Sequence, residues 1–274
     1  MSGNRNNEFS FGDFTWWTGI VEDVEDPLQA GRVKVRIFGY HSNDKNIIST
    51  AALPWAMIAT STMSASYQGI GIMPHMLVKG THVGGFFVDG PSAQLPLVLF
   101  TYPGMGKNGP DVDKLSRGEV VQKKMDSAGQ WTEKASGAAP KYPHNKVIKT
   151  PSGHIIELDD TPGKERIHIV HKSGTYHEFH TDGTVVSSVK GDNYQVVQKG
   201  LFIHVHGNAN IVVDGNVQET IKGNKTSNIS GNYTVTCNSY SMKTKGSWSN
   251  NVGSSGLIKC GGSLTEKAGV IYLN

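Results

Sequence analysis

The sequence predicts an all-β protein built as a small barrel followed by a shaft of short repeats, and three observations carry that prediction. From Val189 to Thr244 the chain counts in eights: Gly191, Gly207, Gly215, Gly223 and Gly231 share one eight-residue lattice, with Val189, Val205, Val213, Ile221 and Ile229 two places before them. Glycine makes up 33 of 274 residues and only 18% of the side chains are charged, a composition that disfavours long helices. Elsewhere, short β-branched and aromatic runs alternate with Asp, Pro and Gly turns, the pattern of strands joined by tight connections.

Residues 1–12 read as an N-terminal tail and residues 13–105 as one compact β domain. Trp16 to Val21 forms a strand, Asp26, Pro27 and Gly31 a bend, and Arg32 to Phe38 a returning strand with Val33, Val35 and Ile37 on one face. Leu53 to Ala59, Met76 to Phe87 and Leu95 to Tyr102 supply further strands. Five short, bent strands suggest a small closed barrel of the OB type. Such barrels often bind single-stranded nucleic acid, and Arg32, Lys34 and Arg36 line one face of the second strand. Binding of that kind needs aromatics interleaved with the basic residues for base stacking. Here the intervening positions are aliphatic, so the basic row is expected to be a solvated face or a protein contact.

Residues 106–149 change character: Gly, Pro, Lys, Asp and Ser dominate and apolar periodicity is lost, as in an extended linker. In residues 150–188 order returns. His154 to Leu158, Glu165 to His171 and Thr175 to His180 are strand-length runs divided by turns at Asp159 to Gly163, Lys172 to Gly174 and Thr181 to Gly183. They form a β collar ahead of the repeats.

An eight-residue unit has room for one strand and one corner. Glycine accepts positive φ, and Asn208, Asn216, Asn224 and Asn232, each following a corner glycine, tolerate it next best. Lys199 and Ser239 interrupt the glycine column, but Val197 and Cys237 keep the apolar one, so seven units run from residue 189 to 244. Each unit carries too few apolar side chains to fill a single-chain coil, whose turns need about twenty residues or more. Three identical chains wound about a common axis remove the difficulty. Val189, Val197, Val205, Val213, Ile221, Ile229 and Cys237 then line the axis, and each backbone finds partners on its neighbours. Residues 245–274 lose the lattice and read as a narrow distal tip rich in Gly, Ser and Asn.

A formal charge of +3, spread along the chain, gives no footprint for specific nucleic-acid binding. No run approaches the apolar length of a membrane span, and Met1 to Gly12 lacks the layout of a secretory signal, so assembly in a cytoplasm is expected. Two cysteines make no disulfide framework. Cys237 falls on the axial column and Cys260 in the tip.

No catalytic residue and no cofactor site stands out. His204 and His206 flank an inward Val205 and should face outward, which leaves them weak candidates for an axial metal ion. His154, His168, His171, His177 and His180 are spread over several strands without ligand spacing, and no phosphate-binding glycine loop precedes a helix.

Trp17-Thr18-Gly19-Ile20-Val21-Glu22-Asp23, then Asp26-Pro27-Leu28, Gly31-Arg32-Val33-Lys34-Val35-Arg36 and Leu53-Pro54-Trp55, resemble the N-terminal OB domain of the central spike of T-even-type contractile phage tails. Glu157-Leu158-Asp159-Asp160-Thr161-Pro162-Gly163 with Gly174-Thr175-Tyr176 resembles the collar of the same family, and the V-x-G octads its needle. The resemblance implies a homotrimeric, cell-puncturing spike in the virion, docked on a baseplate hub protein and driven through the bacterial outer membrane when the sheath contracts. A tip-capping protein is a further candidate partner. In that family a lysozyme domain lies between barrel and collar and needs roughly a hundred residues or more to build its cleft. Here the interval is the linker, and its Glu119, Asp126 and Glu133 have no apolar setting to raise an acid's pKa, so no enzyme activity is expected. A type VI secretion or phage-like injection spike is the nearest alternative; a polysaccharide-degrading β-helix enzyme would need longer coils and a carboxylate cluster.

Overall fold

The computed structural model describes residues 15–68, 70–72, 74–106, 109–110 and 134–270. The N-terminal tail and the linker carboxylates Glu119, Asp126 and Glu133 therefore lie outside the described residues. The chain divides into two units, Met1–Val212 and Val213–Asn274. No helix among the described residues is long and apolar enough to cross a membrane.

The first unit opens with a closed barrel of β1 (Trp16–Asp23), β2 (Val33–Ile37), β3 (Trp55–Ile58), β4 (His82–Phe87) and β5 (Pro96–Tyr102), in the order β1-β2-β3-β5-β4. Alternation puts Trp17 and Val21 of β1 into the interior, where they meet Val33, Val35, Ile37, Val83, Phe87 and Val98. The β1–β2 bend is organised by Asp26, whose carboxylate accepts from the backbone N–H groups of Leu28 and Ala30 and from the Arg32 guanidinium. Closure also depends on glycine. A Cβ at Gly85 would lie 1.9 Å from the Leu97 carbonyl oxygen, at the point where the β4–β5 register shifts.

The basic row on β2 is not solvated, contrary to the reading of the sequence. Lys34 and Arg36 are 8% and 5% exposed, because the segment after β2 folds back over them. Arg36 makes a two-pronged pair with Glu22 at 2.8 and 3.0 Å and also donates to the carbonyl oxygens of Ser42 and Ile48. Lys34 donates to the Ala51 carbonyl oxygen and lies over the Trp55 ring. With their donors committed inside the protein, these side chains offer nothing to a phosphate backbone. Sequence could not show this, since the covering segment carries no periodicity of its own.

The Arg36 guanidinium, with Thr50 and Lys45, draws the Glu22 carboxyl down from 4.5 to about 2 against the opposing effect of burial. A depressed carboxylate stabilises the fold above its unfolded value and loses that contribution as pH falls through the folded one. The barrel should therefore weaken between pH 4.5 and about 2. Glu22→Gln should flatten that part of the pH profile of thermal unfolding; an unchanged slope would remove Glu22 as its source.

Beyond a short β6 (Met105–Gly106) and β7 (Gly109–Pro110) ladder comes a five-stranded antiparallel meander: β8 (Asn145–Lys149), β9 (Ile155–Asp159), β10 (Arg166–Val170), β11 (Tyr176–Phe179) and β12 (Val185–Ser188). Its turns hold Gly163, Gly174 and Gly183 at φ of 72°, 87° and 79°. Two strands of the meander escape the sequence reading. β8 falls inside the expected linker, because Lys146 and Lys149 mask its short apolar pair Val147-Ile148, and β12 is too brief to declare itself beside the repeats. From Val189 to Val270 there are no strands, and every residue is exposed.

Candidate functional site

The collar is a sheet with its apolar face outside. Register places Ile148, Ile156, Leu158, Ile167, Ile169, Phe179 and Val185 on one face. All are between 39% and 55% exposed, so the face is uncovered in the single chain. The opposite face is buried and carries Asn145, Glu157, Arg166, His168 and Glu178 beside Ile155, Val170 and Tyr176. Residues 134–141 lie against this polar face: Ser136 hydrogen-bonds Glu178, Lys134 pairs with Asp182, and the Lys141 N–H donates to Thr161 Oγ1. A contiguous exposed apolar face of this size on an otherwise ordered sheet marks an interaction surface.

The repeat segment continues the same condition. The chain bends at 190–191, 198–199, 206–207, 214–215, 222–223 and 230–231, one and two places after each residue of the Val/Ile column. Val189, Val197, Val205, Val213, Ile221 and Ile229 are 39–52% exposed, while Phe202, Ile211 and Val217 reach 95%, 89% and 76%. The corner glycines correct one expectation. Among the described residues the positive-φ glycines all precede the repeats, so Gly191, Gly207, Gly215, Gly223 and Gly231 turn their corners without left-handed backbone. A Cβ at any of the five meets nothing within 4 Å. The lone chain gives no reason for glycine at these places; close approach of other chains would.

Residues 39–123 match the family of Gp5 N-terminal OB domains, a segment that includes β3, β4 and β5 and begins after β2. Protein Gp5 of Vibrio phage KVP40 (isolate Vibrio parahaemolyticus/Japan/Matsuzaki/1991) is 34% identical over 266 aligned positions, covering 73% of this chain and 63% of that protein. The chain is a homologue of the phage Gp5 spike proteins. The pre-baseplate central spike protein Gp5 of Enterobacteria phage T4 is 37% identical over 109 positions, 38% of this chain and 19% of that one. The chain spans less than two thirds of the length of either relative.

In this Gp5 homologue the histidines dismissed as scattered are partly brought together. His168 is wholly buried, with Nδ1 3.5 Å from Glu157 Oε2 and Nε2 3.5 Å from Glu178 Oε2. Arg166 pairs with Glu157 at 2.5 Å and approaches Glu178 at 3.5 Å, Asn145 donates to Glu157 at 2.9 Å, and His180 Nε2 stands 3.0 Å from Glu178. Burial alone pushes the Glu157 carboxyl up, but His168, Arg166 and Asn145 together outweigh it and hold the group below its ordinary value. The signal for this cluster was period-two spacing: Glu157 and Asp159, Arg166 and His168, and Glu178 with His180 share strand parity across three strands. Polar residues in alternation normally mark the solvent face, so sequence pointed to the wrong side of the sheet.

The other histidines stay apart from it. The His154 and His171 rings lie 4.6 Å from each other, and His177 stacks edge-on to Phe179 on the apolar face. The His204 and His206 rings are 4.5 Å apart on either side of Val205, both exposed. Among the described residues no group of three or more His, Cys, Asp or Glu side chains is placed to hold a metal.

Proposed function

We propose that this chain is the structural, cell-puncturing spike at the centre of a contractile phage tail baseplate, acting as a homotrimer whose C-terminal region is an intertwined three-stranded β-helix. The observation that carries the reading is the stretch from Val189 to Val270: an aliphatic column from Val189 to Ile229, bends every seven or eight residues, no strand partner and no buried residue. Apolar surface and unpaired backbone on that scale must be covered. The rest of the chain has its own core, so two further copies are the natural cover. The apolar collar face extends the same need upstream.

Kinship with the Gp5 proteins supplies the setting. The OB barrel docks on a baseplate hub protein, and sheath contraction drives the shaft into the bacterial envelope, with the outer membrane its mechanical target. Assembly takes place in the host cytoplasm and the product resides in the virion tail. A shaft whose strands are shared among three chains opens only if all three separate, which favours stiffness and slow unfolding.

The role is mechanical rather than catalytic in this reading. The alignment with the Vibrio phage protein extends over 266 positions yet draws on 73% of this chain, so the relative has internal stretches without counterpart here. The two collar glutamates that face one another across His168 are 0% and 1% exposed and committed to Arg166, leaving no room for a sugar ring between them. The purified protein should have a light-scattering mass three times that of the 29.6 kDa chain and give no clearing on a peptidoglycan zymogram. A monodisperse, folded monomer would end the structural reading, and clearing would end the non-enzymatic one.

A further inference from the structure

The repeats do not stop where the glycine lattice stops. After Cys237 the chain bends at 238, then at 245–246, 253–254, 261–262 and 269. Taking the residue one place before each bend gives Cys237, Thr244, Val252, Cys260 and Ala268, spaced by seven and then by eight, eight and eight. The same one-place offset relates Val189 to the bend at 190–191 and every later column residue to its own. A single missing residue between Cys237 and Thr244 therefore hides the continuation from a count in eights. It is hidden further because glycine moves from the second bend position, as in Gly231 and Gly246, to the first, as in Gly253, Gly261 and Gly269.

We propose that residues 245–269 are not a loose tip but further turns of the interchain shaft, with Thr244, Val252, Cys260 and Ala268 continuing the axial column and two other copies of this chain as the partner. The proposal rests on the trimeric reading above and deepens it. The physical basis is that an eight-residue period of curvature serves no purpose in a chain that packs on nothing, yet is required if each corner must meet the same threefold neighbours. A seven-residue unit shortens one strand by a residue and leaves the corner in place. The column runs Ile229, Cys237, Thr244, Val252, Cys260 and Ala268 and ends on its smallest side chain, which lets the three chains approach most closely at the distal end. Three added units at about 4.8 Å of interstrand spacing lengthen the shaft by roughly 15 Å.

Cys260 then shares an environment with Cys237, and each should face its two symmetry mates. Native full-length trimer treated with a short dithiol-reactive cross-linker, denatured and digested, should yield both Cys237–Cys237 and Cys260–Cys260 linked peptides between chains. Cys237→Ala, with only Cys260 left, should still give cross-linked dimer on a denaturing gel, as should Cys260→Ala. If Cys237 links and Cys260 does not, in the wild-type chain as well as in the variant, the distal winding is wrong while the trimeric shaft stands. If neither thiol links, the shaft itself is wrong.

Discussion

Val213→Asp and Ile221→Asp should each abolish an SDS-resistant trimer, and Val212→Asp should leave it intact. In the single chain Val212, Val213 and Ile221 are 44%, 50% and 46% exposed, so a carboxylate at any of them costs a lone molecule almost nothing. Assembly changes the account for only two of the three. An axial column places three copies of the new carboxylate against one another in an apolar channel, at several kcal/mol for each desolvated ion before their mutual repulsion is counted. Adjacent residues on a strand point to opposite faces, so Val212→Asp sends its charge to solvent. The readout is the band on an unheated gel together with light-scattering mass. An intact trimer in all three variants would mean that no axis runs through this column, and loss with Val212→Asp alone would shift the column by one residue.

Arg166→Met should destabilise the collar by about 3–5 kcal/mol, the usual consequence of removing one partner from a buried ion pair. The Arg166 side chain is 2% exposed, and its guanidinium is the one permanent cation among the buried groups facing Glu157 and Glu178. Methionine fills much of the same volume, so the loss measures uncompensated charge rather than a cavity. Adding Glu157→Gln should recover part of the stability, because the second substitution removes a carboxylate the first has stranded; two deletions in contact are not additive. Urea unfolding of the purified protein at fixed concentration, followed by a probe in the collar, gives the cycle. A cost below about 1 kcal/mol for Arg166→Met would show that the cluster is solvated in the assembled protein.

The start of the barrel was legible because β2 announces itself twice, by β-branched alternation and by the turn residues before it. Val33, Val35 and Ile37 identify the buried side of β2, and Asp26 with Gly31 fixes the bend before it. What failed there was the fate of the opposite side. Lys34 and Arg36 look like part of a wet face until the segment through Ser42, Ile48 and Ala51 folds over them, a non-local event with no local signature. β8 was missed for a related reason: it is held by pairing Asn145–Lys149 with Ile155–Asp159 rather than by a pattern of its own.

The sequence by itself determined the periods of this protein: two in the strands of barrel and collar, eight in the shaft. Period is local, because it follows from backbone geometry and from the few residues that tolerate a bend. Which side of the collar is covered, and that the basic side of β2 is covered too, was decided only by the tertiary structure. In the collar, alternation alone would place the charged residues outside, yet the ion cluster around His168 is buried under residues 134–141 while Ile156, Leu158, Ile167 and Ile169 remain uncovered. In the distal region the bends persist at seven- or eight-residue spacing while glycine changes its place within the bend, so the period outlives a one-residue deletion that breaks a count along the chain. Inside and outside are set by what covers a surface, and covering is a relation between distant segments that no stretch of sequence contains alone.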